Sequence, residues 1–137
     1  MGVAGTARAG LGEGIESLQR DRLALHGAVD AVTSLQAYDV HETAMADGTR
    51  VREFVARNGA VFGVAWNGRS KPDLSVLLAS HVAEYRHAAA ANHFNHKILS
   101  VNSEGFVLQV IRLPRETAGS AYLPALLPAG ATGAEVR

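Results

Sequence analysis

The chain has 137 residues, enough for one domain, and although 47% are apolar, 24 of those are alanine, which leaves side-chain area for one modest core. Its 13 basic and 13 acidic side chains cancel, removing the whole-molecule field that would gather nucleic acid or anionic lipid. With no cysteine, disulfide frameworks, thiol nucleophiles and thiolate metal sites are excluded, and no window approaches the roughly 18 consecutive apolar residues of a spanning helix.

Residues 1–12 are Gly, Ala and Thr without periodicity and read as a disordered arm or the remnant of an export signal. Ala7-Arg8-Ala9 has the small-x-small form found before a signal cleavage site, but no apolar signal core precedes it. A single globular domain is expected over residues 13–128. Ile15, Leu18, Leu25, Val29 and Val32 recur at helical spacing, with Glu16, Gln19, Arg20 and Asp21 on the other side, and predict an amphipathic helix that Gly27 ends or bends.

From Val40 to Gly68 run three alternating segments joined at Asp47-Gly48 and Asn58-Gly59. In the first hairpin a two-residue loop would set Glu42 against Glu53. A three-residue loop, Ala46-Asp47-Gly48, instead pairs Glu42 with Arg52, His41 with Glu53 and Val40 with Phe54. Cross-strand pairs contribute about 0.2–1 kcal/mol and like charges repel, so the three-residue loop is predicted, with Gly48 at positive φ. The second turn suits a two-residue type I′ loop, which places Val51 opposite Trp66, Val55 opposite Phe62, and the Phe54 ring over Gly63. His41, Glu53 and Trp66 then share one face, and Glu42, Arg52 and Phe54 the other.

Ser70-Lys71-Pro72-Asp73 is a helix start, and Leu74, Leu77, Leu78, Val82 and Tyr85 form the apolar stripe of a helix reaching Ala91 and ending near Asn92. Ile98–Val101 and Phe106–Leu113 read as a hairpin closed by Pro114, Ser120–Leu123 as one further short strand, and residues 129–137 as a flexible tail. The predicted class is α+β: an antiparallel sheet, built as a three-stranded meander plus a C-terminal hairpin, packed with two α-helices.

The chemistry-bearing residues have adequate structural uses. Of His81, His87, His93 and His96 only the last two form a close pair, so a solvated helix end is favoured over a metal centre. His41 and Glu53, beside Trp66, have the makings of an oriented general base, but a structural ion pair is the favoured reading. Arg50, Arg52, Arg57, Arg69 and Lys71 gather near the hairpins as a candidate anion patch, yet the interleaved Glu42, Glu53 and Asp73 favour an ordinary mixed surface. Trp66 reads as a sheet anchor, and Tyr122-Leu123-Pro124-Ala125-Leu126-Leu127-Pro128 as cover for a sheet edge rather than an exposed docking segment.

The motifs YDVHE, DGTRVREFV, GAVFGVAW with NG, PDL with the leucines after it, and AYLPALLPAG, in this order and spacing from about Leu11 onward, resemble a proteobacterial family catalogued as domain of unknown function 2844. Members look like small exported proteins, so the resemblance implies that the mature chain begins near Gly10 and works in the periplasm or outside the cell. Since no intact signal peptide is present, a cytoplasmic location stays open. The resemblance carries no catalytic, cofactor or metal residue.

The reading reached is a non-enzymatic binding or accessory protein of the bacterial envelope, with a protein or another envelope component as partner, no nucleic acid and no cofactor. His41, Glu53, Trp66, Arg52 and Arg57 are the binding candidates. The alternative is a small-ligand protein or enzyme using His41 and Glu53 beside Trp66. Neither the partner nor the oligomeric state follows from the residues.

Overall fold

The computed structural model describes residues 11, 12, 14, 28–91, 97–103 and 105–137. Seven strands, β1 (Ala28–Ser34), β2 (Tyr38–Ala44), β3 (Arg50–Ala56), β4 (Val61–Gly68), β5 (Ile98–Asn102), β6 (Val107–Leu113) and β7 (Glu116–Tyr122), form one antiparallel sheet in the order β1-β2-β3-β4-β7-β6-β5. Between β4 and β5 lie a short helix α1 (Leu74–Leu77), a 3-10 turn (Ala79–His81) and the longer helix α2 (Val82–Ala91). Among the described residues no helix is long and apolar enough to cross a membrane.

The α+β class with an antiparallel sheet stands, but the arrangement is not the expected three-stranded meander, separate hairpin and two helices. The strand that unites the sheet is β7. Pro114 does not end the ladder; with Arg115 it makes a two-residue turn between paired Leu113 and Glu116, and the chain returns to lie between β6 and β4. Its small residues disguise it: a Cβ on Gly119 would stand 2.2 Å from Cζ2 of Trp66, because the indole occupies that space.

At the other edge, β1 takes in Val29 and Val32, which helical spacing had assigned to a helix. The register pairs Val29 with Thr43 and Val32 with His41, and a bulge between Val29 and Ala31 lets two positions three apart face two that are only two apart. That irregularity imitates a helical period. The rest of the expected N-terminal helix, up to Gly27, lies outside the described residues except Gly14, which forms an isolated bridge to Ala60.

The expected continuous helix after Pro72 is also interrupted. The carbonyl of Leu77, which a continuing helix would offer to His81, accepts the Leu11 N–H at 2.8 Å, while His81 N–H turns to Leu78 O at 2.9 Å. Leu11 itself, placed by the sequence in a disordered arm, is 2% exposed.

The first hairpin has the predicted register: Glu42 faces Arg52, His41 faces Glu53 and Val40 faces Phe54, with Gly48 at φ 87°. The second departs from the predicted two-residue loop. It repeats the first, with Gly59 at φ 88° donating to Ala56 O and Asn58 Oδ1 accepting from Ala60 N–H, just as Gly48 donates to Met45 O and Asp47 Oδ1 accepts from Thr49 N–H. The longer loop would slip every later pair, but a bulge at Phe62 absorbs the extra residue, so Val55 faces Val61 while Phe54 still faces Gly63 and Val51 still faces Trp66.

The sheet separates two cores. On one side α1, α2 and Leu11 cover Val51, Val64, Trp66, Leu108, Val110 and Ala121, with Phe106 buried among them. On the other, the segment after β7 covers Tyr38, Phe54, Phe62 and Ala65, with the Tyr38 and Phe62 rings edge to face at 5.3 Å. Residues 129–137 belong to this second layer, since Val136 is 3% exposed and a Cβ on Gly63 would meet its methyls at 2.9 Å. Val136, rather than the Phe54 ring, fills the space over Gly63.

Candidate functional site

The sequence candidates divide between the two faces. His41, Glu53 and Trp66 lie on the helix side, where pairing sets Glu53 between His41 and Val64, and Trp66 one step along the ladder opposite Val51. Glu53 is 3% exposed and Trp66 1%. The His41 imidazole is half-buried, its Nε2 is sealed from solvent without a hydrogen-bond partner among the described residues, and Trp66 Nε1 is in the same condition. Burial pushes the His41 pKa below its ordinary value, against an opposing pull from the Asp39 carboxylate.

The other histidines are dispersed. His81 stacks on Phe106 at 5.0 Å and meets Glu84 through Nδ1 at 3.1 Å, and His87 is exposed. His93 and His96 lie outside the described residues, among which no three His, Asp or Glu side chains gather as a metal site.

The cations of the candidate anion patch are largely engaged. Arg50 binds Glu42 at 2.6 Å, Arg57 binds Asp39 at 2.7 Å and also donates to Leu35 O, and Lys71 donates to the Tyr85 hydroxyl at 3.0 Å. Arg52 differs. Its Nε donates to the main-chain oxygen of Arg137 at 3.0 Å and its Nη1 to Asn67 Oδ1 at 2.8 Å, while Glu42 stands off at 4.0 Å. The guanidinium is thus held between β4 and the C-terminal segment, with 21% of the side chain exposed. Burial lowers its basicity, Glu42 opposes that and Arg50 reinforces it, yet a guanidinium keeps its charge at any pH at which the protein is folded.

Arg52 borders a cavity of about 180 Å³ on the tail side of the sheet, whose other walls include Asn67, Gln109, Ile111, Ser120 and Arg137. An adjoining cavity of about 370 Å³ shares Gln109, Ser120 and Arg137 and continues over Val107, Tyr122 and Val136. Together they form a groove across β4, β7 and β6 beside the C-terminal segment, and among the described residues no carboxylate side chain lines it. A separate hollow of about 420 Å³ lies between Arg57 and the Leu126-Leu127-Pro128 stretch.

Of the sequence candidates the groove gathers Arg52 and a wall of Trp66; Arg57 borders the separate hollow, and His41 and Glu53 lie on the far face. Gln109, Ser120 and Arg137 were not singled out. Gln109 was within reach of the Leu108-Gln109-Val110 alternation, which turns it away from the helix-side core. Ser120 required β7, and Arg137 required the docked C-terminal segment.

Over residues 7–136 the sequence matches the family described as Protein of unknown function (DUF2844). The chain belongs to this family. No curated protein and no solved structure matches it. The DUF2844 match spans all seven strands, both helices and nearly all of the groove, so the site described lies within the family's domain rather than on an appendage.

Proposed function

We propose that this DUF2844 protein is a non-enzymatic binding protein of the bacterial envelope that holds an anionic ligand in the tail-side groove. The observation that carries the reading is the clamped Arg52: two donors are already fixed by Arg137 and Asn67, and Nη2 has no hydrogen-bond partner among the described residues and remains to donate. A cation pre-oriented in a partly dry wall loses little freedom when it binds an oxygen anion. Glu42 competes weakly, because Arg50 holds it more closely. The exported character of the family, as the resemblance implies it, supports the envelope.

The alternative built on His41, Glu53 and Trp66 has less support, since Nε2 of His41 is sealed and Glu53 is buried. The test is an NMR titration of the full chain with sodium acetate and inorganic phosphate, following the side-chain amides of Asn67 and Gln109 and the Arg52 Nε–H. Saturable shifts that vanish in Arg52→Gln are expected. Shifts confined to the helix-side residues around His41 would refute the groove, and fractionation of tagged cells that finds the chain only in the cytoplasm would refute the envelope.

A further inference from the structure

The cavity at Arg52 lies over two neighbouring rows of the sheet. In one, Arg52 faces Ala65, Ala65 faces Ser120 and Ser120 faces Gln109; in the other, Asn67 faces Ala118 and Ala118 faces Ile111. Between these rows Trp66 faces Gly119, and both turn to the helix side, where a Cβ on Gly119 would run into the indole. They therefore lend the cavity bare peptide, and with the Ala118 methyl and the Ile111 side chain they make its surface mainly apolar and its floor free of bulk. The polar side chains beside that floor are Arg52, Asn67, Gln109 and Ser120.

Resting on the anion-binding reading above, we infer that this cavity takes a planar aromatic monocarboxylate, its ring on the peptide floor beside Ile111 and its carboxyl group on Arg52 Nη2. Size supports a single ring. An apolar cavity of about 150 Å³ holds benzene, and the volume here, about 180 Å³, admits one ring with one small substituent. Shape supports a flat one, because a floor of peptide and one methyl group meets a ring face over its whole area. Charge supports a monoanion. Arg52 is the cation whose head is fixed at this cavity, and Arg137 is shown there through its main-chain oxygen. One negative charge is therefore matched, whereas the second charge of a phosphate would face mainly apolar surface. Asn67 Oδ1 is taken by Arg52, which leaves the Asn67 amide N–H groups as further donors to a carboxylate.

The experiment titrates the full chain by NMR with benzoate, cyclohexanecarboxylate, benzyl alcohol, acetate and inorganic phosphate, reading the Asn67 side-chain amide and the methyl groups of Ala118 and Ile111. Benzoate is expected to saturate at least about tenfold more tightly than acetate or benzyl alcohol, because ring and charge both contribute, and to give both residues' methyl groups ring-current shifts that acetate does not. Ala118→Leu, which fills the floor from a half-buried position, is expected to bring benzoate down to the level of acetate. Unchanged benzoate affinity in that variant overturns the placement of the ring, and should the variant not fold, the five-probe series on the parent chain decides alone. Equal affinity for benzoate and acetate, or tighter binding of phosphate than of benzoate, overturns the aromatic class while the anion site stands. Cyclohexanecarboxylate binding as tightly as benzoate overturns the planar ring. Benzyl alcohol binding as tightly as benzoate overturns the carboxyl group on Arg52 and the anion-binding reading with it, as does silence from every probe.

Discussion

Thr49 has no exposed surface, and its hydroxyl joins two turns that are distant in sequence: it meets the Ser70 hydroxyl at 3.2 Å and accepts the Ser70 N–H at 3.3 Å. Ser70 donates in turn to Asp47, whose carboxyl is held below the usual carboxylate range first by that bond and then by Thr49. Thr49→Val keeps the shape and removes the hydroxyl, so it should cost about 1 kcal/mol, measured by urea unfolding. His41 sets a pH dependence of the opposite kind from a salt-bridged histidine. Its folded pKa lies below the ordinary 6.5 because burial disfavours the imidazolium. The unfolded chain therefore binds the proton first, and stability is lost as pH falls from about 6.5 through the folded value. Unfolding midpoints between pH 7.5 and 5 should fall less steeply in His41→Phe than in the parent; identical slopes would assign the pH dependence to other groups.

Among the elements, β3 is the one whose pairing could be read in advance, because Glu42, Arg52, His41 and Glu53 leave a single register without facing acids. The neighbouring loop was misread for a local reason. Asn-Gly is the signature of a two-residue turn, but the chain uses it as the end of a three-residue loop and recovers the register through the bulge at Phe62. Glycines separate these two kinds of demand. Gly48 has open space around it but φ of 87°, so Gly48→Ala should cost about 1–2 kcal/mol from backbone strain alone. Gly119→Ala has no such strain but drives a methyl into the Trp66 indole, 2.2 Å away. It should cost about 1–3 kcal/mol and also shift the Trp66 fluorescence, a readout that Gly48→Ala should leave unchanged.

For the whole molecule, the C-terminal segment is the second layer that one face of the sheet requires. Its Thr132–Glu135 turn is closed by Glu135 Oε2 accepting the Thr132 N–H at 2.6 Å, and Val136 then enters the space over Gly63. Val136→Ala should destabilise the fold by about 2 kcal/mol through lost burial and the void left behind. Removal of residues 128–137 should expose the Tyr38, Phe54 and Phe62 cluster, increase binding of a hydrophobic dye and abolish the anion response of Arg52 together. Loss of one without the other would separate the structural cover from the site.

The sequence by itself determined the family, the antiparallel α+β class and the register of the first hairpin, because these rest on local spacing, loop chemistry and pairs of adjacent charges. The tertiary structure alone decided where β7 goes, that Val29 and Val32 lie in a strand, that Leu77 O leaves its helix for Leu11, and that Arg137 and Arg52 meet across 85 residues of separation. The reason is the same in each case. Small residues such as Gly119, and a bulged pair such as Val29 and Val32, carry no period of their own, and their positions follow from the space that Trp66, the neighbouring strand and the C-terminal segment leave to be filled.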